Sequence, residues 1–545
     1  MTQTSTNIAS ALPEMAALQP DRMAVAWPDG RGGFSERTFR ELDEDSSCLA
    51  AALTAYGIGR GMRTVLMVPP GLDFFALTFA LFKAGIVPVM VDTGMGLKSL
   101  KACLSEAEPE AFIGIPKAHA ARIVLGWGRD TIRLHITAGR RLFWGGTTLA
   151  KLRAGGTDRM QPVETSEDDI AAILFTSGST GVPKGAVYTH GNFLAQVELL
   201  KETYGIEPGE IDLPTFPLFA LFDPALGMSA VIPEMDATRP ANVNPEKILG
   251  AIQRYGVTNT FASPALLHRV GSYGAAHGIK LPTLRRVISA GAPAQPAVLE
   301  RFSRMLGEGT EIHTPYGATE ALPVSSMGSR AILAETAAQT DLGWGVCVGL
   351  PVERTDVRVI GIDDEPISTW SDDLEVPTGE VGEFTVKGRQ VSRAYYGREH
   401  ATALAKIADP AGGFWHRMGD VGYLDEQGRL WFCGRKAHRV QLESETLYSV
   451  QCEGVFNAHP DVYRTALVGV EREGRTLPVL CVELLKDRPV DRAGTEAALR
   501  ATAADNERTR SIDTFLFHAD FPVDVRHNAK IFREKLAVWA SRKLS

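Results

Sequence analysis

The chain has 545 residues, of which 44% are hydrophobic and 22% charged, values typical of a folded globular protein with a large core. Its 57 basic and 65 acidic residues give a formal charge of −8 without a run of basic residues, which argues against nucleic acid as a partner. The six cysteines form no C-x-x-C pair, so we expect neither a zinc site nor a disulfide framework but reduced thiols in a cytoplasmic protein.

The N-terminal segment lacks the basic region and apolar core of a signal peptide, and we expect none. The most apolar stretch, residues 64–92, is interrupted by prolines and charged residues. It is therefore not expected to form a transmembrane helix, which needs about 20 apolar residues in succession.

The first half of the chain alternates short apolar runs with amphipathic segments. Residues 64–70 predict a buried strand, 72–85 a helix closed by glycine, and 87–92 a second strand. Strand, helix and strand joined by short links are typical of a parallel sheet. The same alternation returns further on, with predicted helices and strands at 247–256, 257–263, 264–278 and 284–291.

From about residue 350 the pattern changes to short strands with Asp-, Glu- and Gly-rich turns, typical of antiparallel β units. After Gly434 comes a basic stretch, RKAHR, and then a compact α+β pattern. We predict an α/β fold, with a large N-terminal body of stacked sheets and helices over residues 1–434. A small mobile α+β domain is predicted over residues 435–545.

A glycine-rich loop lies between the predicted strands 170–175 and 185–190. It is not a P-loop, because Lys184 stands between a proline and a glycine and a strand follows instead of a helix. Its backbone N–H groups, hydroxyls and lysine can still bind phosphate. The candidate residues are Thr176, Ser177, Gly178, Ser179, Thr180 and Lys184. The alternative is a Gly/Ser hairpin turn without a ligand.

The ordered string T-S-G-S-T-G-x-P-K-G resembles that of the adenylate-forming superfamily, which includes acyl-CoA synthetases, nonribosomal peptide adenylation domains and firefly luciferase. Further motifs resembling those of the superfamily follow in the same order along most of the chain. They are SAGAP (289–293), YGATE (316–320), MGD (418–420), GR (434–435) and NAKIFREKL (528–536).

The resemblance implies ATP and Mg²⁺ as cofactors and gives the motif residues roles. Glu320 would hold Mg²⁺ and Thr319 would donate to the α-phosphate, while Lys530 would neutralise charge where the substrate carboxylate meets that phosphate. The other residues would bind the nucleotide. Gly291, Ala292 and Pro293 would lie at the adenine, Tyr316 would stack on it, and Gly317 belongs to the same nucleotide motif. Asp420 would accept from both ribose hydroxyls, and Arg435 would bind near ribose or phosphate.

Two segments depart from the pattern of CoA ligases. Where those enzymes commonly carry a hinge Asp, a lysine and a tunnel glycine, this chain has His438, Gln441 and Ser444. Where they often carry a histidine in P-L-F-H, it has Ala220. A side chain in place of the glycine would crowd a tunnel for a thiol. These departures favour an acceptor other than CoA, although ordinary drift within the family is the alternative.

The segments FPLFALFDPALG and FPVDVRHNAKIFREKL resemble the β-lactone synthetase branch of bacterial olefin biosynthesis, although Asn-Ala replaces the usual Ser-Gly before Lys530. This implies activation of a long-chain 2-alkyl-3-hydroxy acid and closure by its own 3-hydroxyl, with thiolase-like and reductase proteins as possible partners. The alternatives are a long-chain acyl-CoA or acyl-carrier-protein ligase and a noncatalytic nucleotide sensor. His190 and His438 are candidate bases by residue type only.

Overall fold

The computed structural model describes residues 6–91, 95–156, 158–176, 183–216, 219–486, 488–523 and 531–545, with Thr176 described by its backbone alone. Among the described residues, no helix is both long and apolar enough to cross a membrane.

The chain begins with a helix, a two-stranded hairpin and a long helix. Thr38 starts the long helix with a capping box, in which its hydroxyl accepts from the Glu41 N–H and the Glu41 side chain accepts from the Thr38 N–H. These elements are α1 (Ala11–Leu18), β1 (Met23–Pro28), β2 (Phe34–Thr38) and α2 (Phe39–Ala55).

A seven-stranded sheet follows, in the order β7-β6-β5-β3-β4-β8-β9, parallel except for the β8–β9 hairpin. Its central strands are buried on both faces, as expected of a parallel sheet covered by helices. The elements are β3 (Arg63–Met67), α3 (Leu72–Lys83), β4 (Val87–Val91), α4 (Leu97–Ala107), β5 (Ala111–Gly114), α5 (Pro116–Leu125), β6 (Leu134–Thr137), β7 (Thr147–Thr148), α6 (Leu149–Gly155), β8 (Ile170–Thr176), β9 (Lys184–Thr189) and α7 (His190–Tyr204).

A second, larger sheet begins with parallel strands in the order β14-β13-β12-β10-β11-β1, and β2 ends it as an antiparallel edge. Its helices begin at proline, whose fixed φ suits the first turn. The elements are β10 (Ile211–Pro214), α8 (Asp223–Leu226), β11 (Ser229–Val231), α9 (Pro245–Tyr255), β12 (Asn259–Ala262), α10 (Pro264–Ala276), β13 (Arg286–Ser289), α11 (Pro296–Ser303), β14 (Glu311–Ala318) and β15 (Ala321–Gly328).

The same sheet continues as antiparallel strands in the order β15-β16-β21-β20-β18-β17, with β19 paired to β20. This is the region in which the sequence predicts antiparallel units. The elements are α12 (Ser329–Ala331), α13 (Ala337–Asp341), β16 (Val346–Pro351), β17 (Asp356–Ile360), β18 (Gly382–Lys387), α14 (Glu399–Ala405), β19 (Lys406–Ala408), β20 (Phe414–Leu424) and β21 (Leu430–Arg435).

The C-terminal part has its own three-stranded sheet, β24-β25-β26, and a separate hairpin, β22-β23. Two apolar clusters formed by residues of this part flank the three-stranded sheet. The elements are β22 (Val440–Gln441), β23 (Thr446–Leu447), α15 (Ser449–Asn457), β24 (Val462–Arg472), β25 (Arg475–Leu484), α16 (Arg492–Asp505), β26 (Thr514–Phe517) and α17 (Arg533–Leu544).

The predicted α/β architecture is confirmed. The predicted strand 64–70 corresponds to β3, the helix 72–85 to α3 and the strand 87–92 to β4, each within three residues at its ends. The β8–β9 hairpin also forms where the glycine-rich loop is predicted to join two strands.

Candidate active site

A cavity of about 1100 Å³ is lined by residues of both large sheets. One end carries polar groups from the motifs, and the other is lined by apolar side chains of α3, α8 and the adjoining strands. The motif residues on its wall are Lys184, Ala290, Gly291, Tyr316, Gly317, Ala318, Thr319, Glu320, Met418, Gly419 and Arg435. The structure therefore brings together parts of five predicted motifs.

Thr319 and Glu320 form the two-residue turn of the β14–β15 hairpin, between the paired residues Ala318 and Ala321. The Tyr188 hydroxyl donates to the Thr319 carbonyl. The Tyr395 hydroxyl donates to Glu320 Oε1 at 2.6 Å. The turn is thus held from both sides and presents a carboxylate to the cavity.

Asp420 is the buried centre of a three-residue contact. It lies on β20 directly opposite Arg435 on β21. The Tyr316 hydroxyl donates to Asp420 Oδ2 at 2.6 Å, and Arg435 Nη1 lies 2.9 Å from Oδ1. That contact is an ion pair without hydrogen-bond alignment, so Oδ1 has no aligned donor among the described residues. Asp420 itself is not on the cavity wall, whereas its partners Tyr316 and Arg435 are.

The electrostatics of this contact combine burial with charge. Burial raises the pKa of the Asp420 carboxyl, while the Arg435 guanidinium opposes the rise. The same carboxylate raises the pKa of Arg435, and burial raises that of the Tyr316 hydroxyl. The tyrosine therefore keeps its proton and acts as a donor.

The lysine of the glycine-rich loop reaches the same wall. Lys184 pairs with Thr176 across the β8–β9 hairpin, and its Nζ lies 4.9 Å from the centre of the Tyr395 ring. The remaining loop candidates, Ser177, Gly178, Ser179 and Thr180, lie outside the described residues.

The segment after β13 contributes to the wall through Gly291, with φ of +94°, a left-handed conformation that favours glycine. Ala292 and Pro293 follow in the same loop but do not line the cavity. Gly317 is also constrained, because a Cβ there would lie 2.7 Å from the Ala321 carbonyl oxygen.

The predicted hinge departs from β21 and is held by ion pairs. Lys436 Nζ lies 3.0 Å from Glu383 Oε2, and Arg439 pairs with Asp364. His438 Nε2 lies 3.3 Å from Glu534 Oε1 of α17, and burial lowers its pKa to about 4. His438 therefore connects the hinge to the last helix, and it does not line the cavity.

Lys530 lies outside the described residues. The residues on either side of its segment are fixed, because Val523 and Ile531 form an antiparallel bridge. Just beyond, Arg533 forms a bidentate pair with the buried Glu453, at 2.6 Å for the shorter contact.

His190, the other candidate base, is a structural residue. It is 2% exposed and its Nδ1 accepts from the Ile8 N–H at 3.2 Å. Burial lowers its pKa to about 4. It caps the N-terminal segment and does not line the cavity.

The acyl end contains a polar group that the sequence pattern does not indicate. Asp212 and Asp223 are both 2% exposed and line the cavity. Asn259 Nδ2 donates to Asp212 Oδ1 at 2.5 Å. Burial raises the pKa of both carboxyls, and the proximity of Asp212 raises that of Asp223 further, so this part of the wall favours their neutral form.

This acid pair is far from the nucleotide end. Asp212 lies opposite Asn259, which lies opposite Arg286, and Ala290 follows four residues later. At about 3.3 Å per residue this is about 13 Å along the strands. The pair therefore lies in the apolar part of the cavity wall, away from the motif residues.

Sequence reasoning missed Tyr188, Tyr395 and the acid pair. Tyr188 and Tyr395 belong to ordinary strand and loop segments, and only the fold brings them to the turn at Thr319. Asp212 and Asp223 are eleven residues apart in an apolar stretch. The sequence signal for this pair is the presence of two carboxyls in an apolar stretch, because acids that are buried need partners.

Among the described residues, no group of three His, Cys, Asp or Glu could hold a metal ion. A single carboxylate such as Glu320 fits Mg²⁺ all the same, since this ion is usually bound by one or two carboxylates together with substrate phosphates.

Comparisons with known proteins agree with this geometry. The AMP-binding enzyme family matches residues 12–396. An olefin beta-lactone synthetase of Stenotrophomonas maltophilia is 52% identical over 550 residues, 99% of this chain and 98% of the relative. One of Xanthomonas campestris pv. campestris is 50% identical over 549 residues, 98% of each.

Solved structures share the fold at lower identity. An amide bond synthetase from Marinactinospora thermotolerans has a TM-score of 0.80 and 23% identity, covering 98% of this chain and 99% of that one. ATP-bound MatB from Rhodopseudomonas palustris has a TM-score of 0.80 and 20% identity, covering 99% and 100%. With most of its length matched by the family and by relatives of high identity, this chain belongs to the AMP-binding enzyme family.

Proposed function

We propose that this protein activates a long-chain 2-alkyl-3-hydroxy acid with ATP and closes the acyl-AMP to a β-lactone. The observation that carries the proposal is one continuous cavity that joins the Tyr316–Asp420–Arg435 contact to a large apolar end. The two relatives at 52% and 50% identity are named olefin beta-lactone synthetases, which supports lactone formation as the second step.

The nucleotide end has the groups that ATP requires. The free acceptor capacity of Asp420 Oδ1 suits a ribose hydroxyl, and Gly291 suits the close approach of adenine beside Tyr316. Arg435 and Lys184 supply positive charge on the same wall. We assign the polyphosphate to the loop that includes Thr176, Ser177, Gly178, Ser179, Thr180 and Lys184, by resemblance.

We assign Mg²⁺ to Glu320. The hydrogen bond from Tyr395 fixes the orientation of this carboxylate, and the hairpin turn points it into the cavity. When bound, the ion neutralises charge on the phosphate oxygens. Thr319, the other turn residue, is placed to donate to the α-phosphate.

Activation joins two anions, and the chain supplies the charge that permits it. We assign this task to Lys530 by resemblance, because a cation aimed at the developing charge stabilises the transition state. The substrate carboxylate oxygen attacks the α-phosphorus, the bond to the β-phosphate oxygen breaks, and diphosphate leaves.

Lactone closure needs no second substrate. The 3-hydroxyl oxygen attacks the activated carbonyl carbon, the bond from that carbon to the AMP oxygen breaks, and AMP leaves with the electron pair while the hydroxyl proton is released. The high effective concentration of an internal hydroxyl offsets part of the ring strain. Ala220, at the position where CoA ligases often carry a histidine, is fully buried and has no polar side-chain group.

We also propose that residues 1–434 and 435–545 move as two domains about the hinge at Arg435–Arg439. The separate sheet and apolar clusters of the C-terminal part support this division. A cytoplasmic location and a complex with thiolase-like and reductase proteins of olefin biosynthesis complete the proposal, and copurification of the three proteins tests the complex.

The function is tested by incubating the protein with ATP, Mg²⁺ and a 2-alkyl-3-hydroxy acid, with and without CoA. We expect AMP, diphosphate and a β-lactone in equal amounts without CoA. A thioester that forms only with CoA would instead assign the chain to the acyl-CoA ligases.

A matched substrate separates the two steps. The same acid without its 3-hydroxyl should be adenylated, giving a hydroxamate when hydroxylamine is added, but should give no lactone. A product from this acid with the mass expected of a lactone would contradict the proposed sequence of reactions. So would the absence of a hydroxamate from both acids.

A further inference from the structure

Residues 115–160 carry a charge opposite to that of the whole chain. They contain nine Lys or Arg and two Asp or Glu, a net charge of +7, whereas the whole chain carries −8. This segment contains α5, β6, β7 and α6, and β7 and β6 are the last strands at one edge of the seven-stranded sheet. The edge is therefore a positive region on a negative protein.

Most of these cations are available to a partner. Within the described part of the chain, six of them are exposed and form no ion pair with a carboxylate, whereas Arg153 pairs with Asp45 and Asp73, and Arg159 pairs with Glu44. The six are Lys117, Arg129, Arg133, Arg140, Arg141 and Lys151.

Apolar side chains protrude among the cations. Phe143 is 83% exposed and Val124 is 82% exposed, and Ile123 and Leu142 are also exposed. We call Ile123 and Val124 of α5 together with the loop 139–146 the basic apolar surface. Exposed apolar groups of this size next to one another are typical of an interaction site.

The protruding loop has a rigid base. The Phe143 ring contacts that of Trp144 edge-on at 5.5 Å, and Trp144 stacks on His119 of α5 at 5.3 Å. Trp144 Nε1 donates to Thr137 Oγ1 at 2.9 Å. Ile123 is one helical turn beyond His119, so the loop and the helix present their apolar groups side by side.

The same helix also lines the candidate active-site cavity. Lys117, Ala118 and Ala121 of α5, with Trp127 just after it, lie on the cavity wall. One helix thus has the cavity on one side and the basic apolar surface on the other.

We propose that the basic apolar surface docks on an anionic lipid bilayer, with its cations on the headgroup phosphates and Phe143, Leu142 and Val124 inserted at the headgroup boundary. Arginines beside an exposed aromatic group are the pattern of an interfacial anchor. An acidic protein would need a fitted pocket for Phe143, whereas the headgroup boundary of a bilayer accepts an apolar group of any shape. Docking brings the cavity next to the phase in which an apolar acid dissolves.

The test is sedimentation of the full chain with vesicles, without ATP or acid. We expect binding to vesicles of phosphatidylglycerol and phosphatidylcholine in equal parts, little binding to phosphatidylcholine alone, and weaker binding as salt is raised. Phe143→Ser should weaken binding about tenfold. Arg140→Ser should weaken it about fivefold, as expected for one cation near an anionic surface.

Val538→Ser on α17 is the matched control, since Val538 is 55% exposed outside the surface, and it should bind as the wild type does. All three variants should keep the adenylation rate measured without vesicles. The proposal is overturned if the wild type does not sediment with anionic vesicles, if both surface variants bind as tightly as wild type, or if Val538→Ser loses as much. A salt-dependent complex with an acidic protein, without vesicle binding, would reassign the surface.

Discussion

At one end of the cavity, Asp420 meets a hydroxyl donor, Tyr316, and a cation, Arg435, within 3 Å. At the other end, Asp212 and Asp223 face each other, and among the described residues neither forms an ion pair. Both ends bury carboxyl groups, but one keeps its charge beside a cation, whereas at the other end burial raises both pKa values and favours the neutral form.

The difference shows what each end can bind. A paired carboxylate with a free acceptor oxygen recognises polar ligand groups at fixed positions. A neutralised pair in an apolar wall leaves shape as the main determinant of binding. Substitutions at the nucleotide end should therefore affect every substrate alike, whereas those at the acyl end should discriminate by chain length.

The largest expected effect is that of Lys530→Ala. Loss of the cation that stabilises the transition state should lower carboxylate-dependent diphosphate exchange by about 10²–10³ or more, with the fold retained. Circular dichroism checks the fold and isotope exchange the rate. Lys535→Ala, five residues further on, is the control and should change little, whereas unchanged exchange in Lys530→Ala would remove the residue from its role.

Asp420→Asn should follow, with about a 100-fold lower kcat/KM for ATP. The amide keeps the shape but leaves Arg435 with no carboxylate in contact and binds ribose hydroxyls more weakly. Steady-state kinetics with acids of different length measure the change. The effect should be the same for all of them, and Glu426→Gln, an exposed acidic residue of the next turn, should be neutral.

Ala225→Phe tests the acyl end. Ala225 lines the cavity and is 4% exposed, so a larger side chain should lower kcat/KM for long acids about tenfold and spare short ones. Ala251→Phe, at a buried alanine that does not line the cavity, controls for overpacking. If both variants affect short and long acids equally, this alanine has no part in chain-length selection.

The smallest effect is one on stability. The unfolded chain loses the Asp212 proton near pH 4, whereas the folded pair holds it to a pKa of about 7. The stabilisation is therefore complete below pH 4 and lost as pH rises to 7, with a slope of up to about 1.4 kcal/mol per pH unit.

Asp212→Asn should remove the part of this slope that Asp212 contributes, because its amide does not titrate. Urea unfolding at pH 5 and pH 8 gives the free energy of unfolding, and the variant should lose less of it than the wild type between these values. Asp130→Asn at an exposed position is the control. If wild type and Asp212→Asn lose the same free energy of unfolding between pH 5 and pH 8, the ionisation of Asp212 is independent of folding.

Much of the fold was predictable because its strands and helices carry strong patterns. The run 64–70 is continuous and apolar, as a strand buried on both faces must be, and Gly85 ends the α3 segment with φ of +64°. Tyr316, Asp420 and Arg435 stand in ordered motifs and meet in the structure, whereas their roles toward a nucleotide stay a prediction.

The rest depends on contacts between distant segments. Tyr395 donates a hydrogen bond to Glu320, which lies 75 positions earlier in the chain. Asp212 interacts with Asp223, the first residue of α8. A local sequence pattern does not predict such contacts, because nothing in the segment around each residue indicates its distant partner. The +7 charge of residues 115–160 could be counted from the sequence, but which of these side chains are exposed could not.

The sequence by itself determined which residues are available for the proposed nucleotide chemistry, because phosphate, ribose and metal binding require particular residue types in short, ordered motifs. The tertiary structure alone decided the shape of the apolar end of the cavity, the burial that raises the pKa of two carboxyls there, and the exposure of Phe143 beside the arginines. Those properties arise from packing and burial, which are set by the whole fold and not by any one segment.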